Sequence, residues 1–294
     1  MSNKPSILIQ LDTDVQPSVF DRVVAVDAGA DHIFSYAQVT PDQVPALVHG
    51  AIFTRSPRSL HRTAIFIGGS DLDAGERLFA EVGKHLLPKL GLQVSLMLDS
   101  NGANTTAVAA VRAAAKHLKL TKSRALVLGG TGPVGRRVAR LLAWQGAEVR
   151  IGSRSLERAD AVCRSIRDKI ENAIVQPVST ARSADAEPAV QGCSLIVAAG
   201  AAGTVLLPRS VRERCQSLKV AIDLNAVPPT GIEGIEPHEA ATNHDGVICY
   251  GALGVGADKM KIHRLALAAL FQRNDLQLDA EEIYELAEAA EAAP

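Results

Sequence analysis

Gly130, Gly132 and Gly135 make a GxGxxG spacing inside Ala125-Leu-Val-Leu-Gly-Gly-Thr-Gly-Pro-Val-Gly135, directly after one apolar run and directly before an amphipathic one. Glycines at these intervals suit the handling of a pyrophosphate. The first permits a tight turn, the second lets backbone approach the anion, and the third lets a helix pack closely on a strand. The helix N-terminus adds free N–H groups and the positive end of its dipole. Thr131 and Val134 complete the loop, and Pro133 sits where a missing N–H leaves no intrahelical acceptor empty. The plainer reading of the same residues is a glycine turn that only packs tightly.

What decides between these readings is the end of the following strand. An enzyme that uses NAD usually carries an acidic residue there for the ribose hydroxyls. This chain has Gly152-Ser153-Arg154-Ser155 instead. A guanidinium with hydroxyls beside it suits a 2′-phosphate, which a carboxylate would repel, so NADP is the expected cofactor, with NAD left open as a second acceptor. The alternative for Arg154 is a solvated residue ahead of a helix. Farther along, Ala199, Gly200 and Ala201 are small enough to let a flat ring lie against backbone, and Asn225 ends the next strand with a polar group. Asp223 suits either that site or the stabilisation of its own loop.

Three polar clusters fall at expected strand ends in the first third of the chain: Gln10-Leu-Asp12-Thr-Asp14, Gly68-Gly-Ser-Asp71, and Asp99-Ser-Asn101-Gly-Ala-Asn104-Thr105-Thr. Ligands of open parallel sheets lie beyond the carboxyl ends of the strands, so these clusters and Lys259 are expected to form a polar cleft facing the nicotinamide. Taken singly, each cluster could be a turn, and Asn104 and Thr105 could simply open a helix.

The elements that must position these residues follow a strand-helix rhythm. Strands are expected at 6–11, 63–67 and 93–98, with helices at 74–87 and 104–118, and the regular alternation resumes at Ala125. The expected class is α/β, with two α/β domains, the second a doubly wound parallel sheet of the Rossmann type, and an active-site cleft between them. The first domain is placed at 1–108 and completed by a C-terminal helix at 275–294, and the second at 109–274. Helices are expected at 257–273 and 279–292, and a mobile loop at 180–188.

The 294 residues are 47% hydrophobic, enough for two such cores. Thirty-one basic against thirty-two acidic side chains leave a net charge of -1, so no global field draws the chain to nucleic acid or a membrane surface. Aromatics at 3% argue against base-stacking platforms. No apolar stretch approaches the roughly 18 to 20 residues of a span, and the N-terminus lacks a leader pattern, so a cytoplasmic protein is expected. Cys163, Cys193, Cys215 and Cys249 are far apart without a CxxC pair, which suggests neither disulfides nor a metal site.

The strings LDTD, PSVFD, GADHI, TAIFIGG, AGERLF, LDSNGANTT, GGTGPVG, GALGVG and DAEEIYELA, spread from about Ile7 to Ala287, resemble those of the bacterial NADP-dependent methylene-tetrahydromethanopterin dehydrogenases. Most lie outside the glycine loop. The resemblance implies an enzyme of one-carbon (formaldehyde oxidation) metabolism that transfers a hydride to NADP from the methylene carbon of methylene-tetrahydromethanopterin, or in some members of methylene-tetrahydrofolate, leaving the methenyl form. It also implies a homo-oligomer, a trimer being one such state. Removing hydride leaves a cation shared by two nitrogens and moves no proton, which agrees with the absence of any nucleophile-base set in the sequence.

The roles implied are therefore positional. Lys259 and Asp99 are the catalytic candidates, Lys259 orienting pterin or cofactor. Gln10, Asp12, Asn101, Asn104 and Thr105 are the candidates for binding the reduced pterin. The cyclohydrolase of bifunctional folate enzymes uses a Tyr and a Lys along one helix, and Tyr36 is followed four residues later by Thr40. Two other readings use the same loop: a shikimate-dehydrogenase-like NADP enzyme, whose catalytic Lys has no counterpart here, and a non-catalytic NADP-binding redox sensor.

Overall fold

The computed structural model describes residues 4–292, with backbone only at Ser183 and Ala184. The chain divides into two compact units. One comprises the residues up to Thr105 together with those from Met260 onward, and the other is Thr106–Lys259. Both divisions fall inside helices. The return to the first unit therefore comes earlier than the expected residue 275.

In chain order the first unit supplies β1 (Ile7–Asp12), α1 (Val19–Asp27), β2 (His32–Tyr36), α2 (Val44–Phe53), β3 (Thr63–Gly68), α3 (Leu72–His85) and β4 (Ser95–Leu98). α4 (Ala103–Ala115) leads out of it. The second unit holds β5 (Arg124–Leu128), α5 (Pro133–Trp144), β6 (Glu148–Ser153), α6 (Leu156–Lys169), β7 (Val175–Ser179), α7 (Ser183–Val190) and β8 (Leu195–Ala198). It continues with α8 (Arg209–Glu213), β9 (Val220–Asp223), β10 (Thr242–His244) and β11 (Val247–Tyr250). α9 (Ala252–Ala269) leads back, and β12 (Gln277–Leu278) and α10 (Ala280–Ala292) finish the first unit.

The first sheet has the order β12-β4-β3-β1-β2, and every pairing in it is parallel. β3 and β4 are buried along their whole length, as strands covered on both faces must be, which is why their sequences read as continuous apolar runs. Leu11, Ile52, Leu60, Ile67, Leu78 and Leu98 belong to the core on one face. α3 buries Leu72, Gly75, Leu78 and Val82 at helical spacing, and the Asp71 carboxylate caps its start by accepting the Ala74 N–H at 3.0 Å.

The second sheet has the order β10-β11-β9-β8-β5-β6-β7, parallel except for the β10–β11 hairpin. Apart from that added edge strand it is the doubly wound order of dinucleotide-binding folds, with its chain reversal between β5 and β8. The register levels the strand ends. Leu128 is paired with both Gly152 and Ala198, so the turns after β5, β6 and β8 emerge side by side. α5 fixes the first of these turns by burying Val138, Leu141 and Leu142, each contributing about 1.5–3 kcal/mol of apolar burial.

Two local expectations are corrected. The stretch expected as a mobile loop at 180–188 contains the start of α7, because Ala186, Ala189 and Val190, at helical spacing, are buried in the core. That burial outweighs the interior Pro188. The glycine-rich run before the expected helix at 257 is itself helical, since α9 begins at Ala252. Two of its three glycines serve packing: a Cβ on Gly251 would stand 2.5 Å from the Pro237 carbonyl oxygen, and one on Gly254 would stand 2.7 Å from the Glu239 carbonyl carbon. α1 and β2 escape sequence reading. Only Val24 and Ala25 of α1 are buried, and β2 is an edge strand.

Candidate active site

A groove of about 720 Å3 opens along the carboxyl edge of the second sheet. Thr131, Gly132 and Pro133 line it after β5, Ser153 and Arg154 after β6, and Ala199, Gly200 and Ala201 after β8. The site thus straddles the chain reversal, where a doubly wound sheet leaves its crevice. Gly132 is the N-cap of α5 and no side chain caps that end, so first-turn N–H groups face the groove without a side-chain acceptor. A Cβ on Gly132 would meet only the Gly129 and Ala199 carbonyl oxygens, at 3.4 and 3.7 Å, so this glycine keeps open the space in front of the helix.

The other glycines work behind the groove. Gly129, with φ +68°, lies so near the next strand end that a Cβ would stand 2.6 Å from Gly200 Cα. Gly130 donates its N–H to the Gly152 carbonyl at 2.9 Å, and a Cβ there would meet Ile151 at 2.8 Å. Gly135 is pressed against the Gly129–Gly130 backbone. Together they fit a pyrophosphate cradle: one glycine opens space and three draw helix and strand ends together. Neither Gly130, Val134, Gly135 nor Asn225 lines the groove itself. Asn225 accepts the Val227 N–H at 3.0 Å and donates weakly to the Pro229 carbonyl. Asp223 stabilises that loop, its carboxylate accepting the N–H groups of Asn225 at 3.0 Å and Ile232 at 2.6 Å. Burial pushes the Asp223 carboxyl above its ordinary range, with those N–H groups opposing the shift.

Ser153 Oγ lies 3.3 Å from Thr131 Oγ1 and accepts the Ser155 N–H at 3.2 Å, tying the β6 turn to the β5 turn. Sequence reading missed several lining residues: Gly129, Arg158, Thr180, Arg182 and Leu206. Arg158 was signalled, since it lies one helical turn past Arg154, on the helix that Ser155 caps through the Arg158 N–H at 3.3 Å. Arg182 comes from the turn after β7, which only the sheet order brings near, and it is paired with Asp185 at 3.0 Å.

At the carboxyl edge of the first sheet the three polar clusters are laced to one another. Asp14 accepts the Ser70 N–H at 3.0 Å and its hydroxyl at 2.8 Å, Ser100 donates to the Gly68 carbonyl at 3.1 Å, and the Asn101 N–H donates to the Gly69 carbonyl at 2.6 Å. Most of the expected pterin ligands are buried within this lacing. Asp12, fully buried, accepts the N–H groups of Asp14 at 2.9 Å and Ser18 at 3.1 Å. Gln10 donates to Asp12 and accepts the Ser35 hydroxyl at 2.7 Å. Asp99 accepts both the N–H and the hydroxyl of Thr105, at 3.0 and 2.6 Å. It is therefore Asp99, and not Asn104 or Thr105, that anchors the start of α4.

Asn104 donates to the Leu98 carbonyl at 2.6 Å and to Asp279 at 2.9 Å. Asn101 alone among the expected pterin ligands is exposed, held at φ +58°. Asp14, Ser70 and Asp71 share that edge. Two buried polar atoms there, Thr13 Oγ1 and Asn104 Oδ1, have no hydrogen-bond partner among the described residues. Lys259, half-buried on α9, is the last residue of the second unit.

Residues 19–101 match the family model described as methylene-tetrahydromethanopterin dehydrogenase, N-terminal. A protein of Methylorubrum extorquens named bifunctional protein MdtA is 45% identical over 289 residues, which are 98% of this chain and 99% of that one. An NAD(P)-dependent methylenetetrahydromethanopterin dehydrogenase of the same organism is 30% identical, over 96% of this chain and 97% of its own. The chain belongs to the methylene-tetrahydromethanopterin dehydrogenase family.

Among solved structures, shikimate 5-dehydrogenase from Listeria monocytogenes, in complex with shikimate and NAD, is 12% identical, covers 96% of each chain and has a TM-score of 0.54. That likeness is one of fold alone. It explains why the glycine loop also suggests a shikimate-dehydrogenase-like enzyme, a reading that the family membership does not favour. The sensor reading is equally disfavoured, because the family is one of dehydrogenases. Among the described residues no helix is long and apolar enough to cross a membrane.

Proposed function

We propose that this chain, a nicotinamide-dependent oxidoreductase, oxidises the methylene carbon of methylene-tetrahydromethanopterin to the methenyl form, with NADP as the acceptor and methylene-tetrahydrofolate as a second substrate. The observation that carries this reading is the extent of the likeness to its relatives: identity runs through both units, not only through the glycine loop that many dehydrogenases share. When bound, the nicotinamide ring supplies the hydride acceptor.

Thr131, Gly132 and the first turn of α5 hold the pyrophosphate, while Gly130 and Gly135 keep that turn against its strand. Arg154, with Ser153 beside it and Arg158 one turn on, receives the 2′-phosphate, and Arg182 closes the same end of the groove. Ala199, Gly200 and Ala201 give a flat wall to the nicotinamide side. Asn225 shapes the adjacent turn through its hydrogen bond to Val227.

On the first unit Asn101, Ser70 and Asp14 offer exposed or half-exposed polar groups to the pterin, with Thr13 Oγ1 and Asn104 Oδ1 as acceptor atoms behind them. Gln10, Asp12, Asp99 and Thr105 act through those residues by fixing the turns. Lys259 is assigned the role of orienting pterin or cofactor by charge. None of them has to move a proton, because hydride departure leaves a cation spread over two nitrogens. The rate then rests on holding donor and acceptor carbons at near-attack separation. The protein is proposed to act in the cytoplasm, as a homo-oligomer.

Steady-state kinetics with both pterins and both nicotinamides tests the reading. Methenyl product formed with NADP, at a kcat/KM well above that with NAD, is the expected result. Turnover of shikimate but of neither pterin would overturn it.

A further inference from the structure

Outside the groove, three side chains with metal-binding atoms converge at the edge of the second sheet. Glu239, His244 and Cys249 each offer one such atom, and these atoms lie within 4.8 Å of one another. The β10–β11 hairpin accounts for two of them. Its register pairs Thr242 with Cys249 and His244 with Val247, so His244 and Cys249 are diagonal neighbours on one face. Asp245 and Gly246, at φ +51° and +90°, close the hairpin and fix that register. Glu239 comes from the preceding turn, where its Oε1 accepts the Glu236 N–H at 3.1 Å.

That leaves Glu239 Oε2 buried without a hydrogen bond and 3.0 Å from His244 Nε2, close enough for an ion pair with a protonated ring. A buried carboxylate oxygen so weakly satisfied is costly unless a cation supplies what is missing. We propose that Glu239, His244 and Cys249 bind a zinc-type divalent cation, with the fourth position open to water.

The donor set selects the metal class. One thiolate, one imidazole and one carboxylate suit zinc and exclude the all-oxygen ions magnesium and calcium. A tetrahedral ion with bonds of about 2.0–2.3 Å spaces its ligands by roughly 3.3–3.8 Å. The present set, within 4.8 Å, therefore needs to contract by at most roughly 1.0–1.5 Å, within reach of side-chain rotations. Binding replaces the thiol proton of Cys249 by the metal and releases that proton to water. Burial pushes this thiol up to about 11, and the Arg212 guanidinium nearby opposes the shift by favouring the thiolate. His244, with 27% of its side chain exposed, gives the ion an entry path.

The site would brace the start of α9. The Glu239 carbonyl accepts the Gly251 N–H at 2.9 Å, and Gly254 packs on the same carbonyl. An ion on the Glu239 side chain would thus clamp this turn between the hairpin and the helix that carries Lys259.

Cobalt(II) is the probe. Protein treated with chelator and then titrated with cobalt should take up one equivalent and develop a thiolate-to-cobalt charge-transfer band in the near ultraviolet. Cys249→Ser should abolish the band, and His244→Ala, which keeps the thiol, should weaken uptake by more than about tenfold. Zinc should raise Tm in the parent and not in Cys249→Ser. Absence of the band, or its survival in Cys249→Ser with one of the other buried cysteines as ligand, would overturn the proposal.

Discussion

Gly132 and Asp12 stand at the carboxyl end of the first strand of their respective sheets, Gly132 in the turn after β5 and Asp12 closing β1. Gly132 contributes nothing but space in front of uncapped N–H groups. Asp12 is fully buried and spends its carboxylate on two backbone N–H groups of its own loop. The second sheet therefore offers its groove backbone N–H groups and arginines from the turns. On the proposed reading, the first would address its ligand with the few polar groups left over after the loops have satisfied one another. An anion can be held by backbone N–H groups in any sequence that leaves the turn open. A pterin has to be met by side chains, and those must first be positioned.

This contrast predicts the largest effect where backbone does the work. Gly129→Ala places a Cβ against Gly200 in a left-handed conformation and should destabilise the protein by about 2–4 kcal/mol, read by urea unfolding. A variant as stable as the parent would mean that the two strand ends are not packed as described.

Next comes charge. Arg154→Ala should raise KM for NADP by roughly 10- to 100-fold, the loss of about 1.5–3 kcal/mol, and leave KM for NAD unaltered. An equal rise for both nicotinamides would remove Arg154 from the 2′-phosphate.

The first sheet should split by burial. Asp99→Ala leaves the buried Thr105 N–H without its acceptor and its hydroxyl with only the distant Gly102 carbonyl, and should lower stability by about 1–3 kcal/mol. Asn101→Gly deletes an exposed side chain at a positive φ that glycine tolerates. Its stability should stay within about 0.5 kcal/mol of the parent while KM for the pterin rises. If Asn101→Gly has parental kinetics, the exposed rim is not the pterin site.

The smallest effect concerns Asp223. Its folded-state pKa is raised by burial, so the folded protein binds the proton more tightly than the unfolded chain. Stability from this group is full below its ordinary range near pH 3.8 and is lost as pH rises through the raised value. The stability difference between Asp223→Asn and parent should therefore move in favour of the variant on going up from about pH 3.8. A difference independent of pH in urea titrations would show that the carboxyl titrates normally.

Much of the second unit could be read ahead of the structure because its information is local. Strand, glycine loop and helix are consecutive, and Arg154 follows its strand directly. Of the twelve residues expected to hold the cofactor, Gly130, Val134, Gly135 and Asn225 miss the groove wall; Gly130 and Gly135 pack behind it and Asn225 holds the adjacent turn. In the first unit the strand ends were recognisable, but their division of labour was not. Whether a carboxylate meets a ligand or a neighbouring N–H depends on loop conformation, which periodicity does not encode. α7 shows the same limit: a Ser/Ala/Glu-rich composition argued for a loop, and burial of Ala189 and Val190 decided for a helix.

By itself the sequence determined the alternation of strands and helices, the dinucleotide loop and the family, since each rests on residues adjacent in the chain or on strings compared in order. Tertiary structure alone decided three things: that Arg182 shares a groove with Arg154, that Asp99 anchors α4, and that Cys249, isolated among the cysteines, stands beside His244 and Glu239. The physical reasons differ in range. Arg154 and Arg182 meet because sheet order sets their turns side by side, whereas the Asp99–Thr105 contact and the Glu239–His244–Cys249 group are local and depend on loop conformation and hairpin register, which periodicity does not encode.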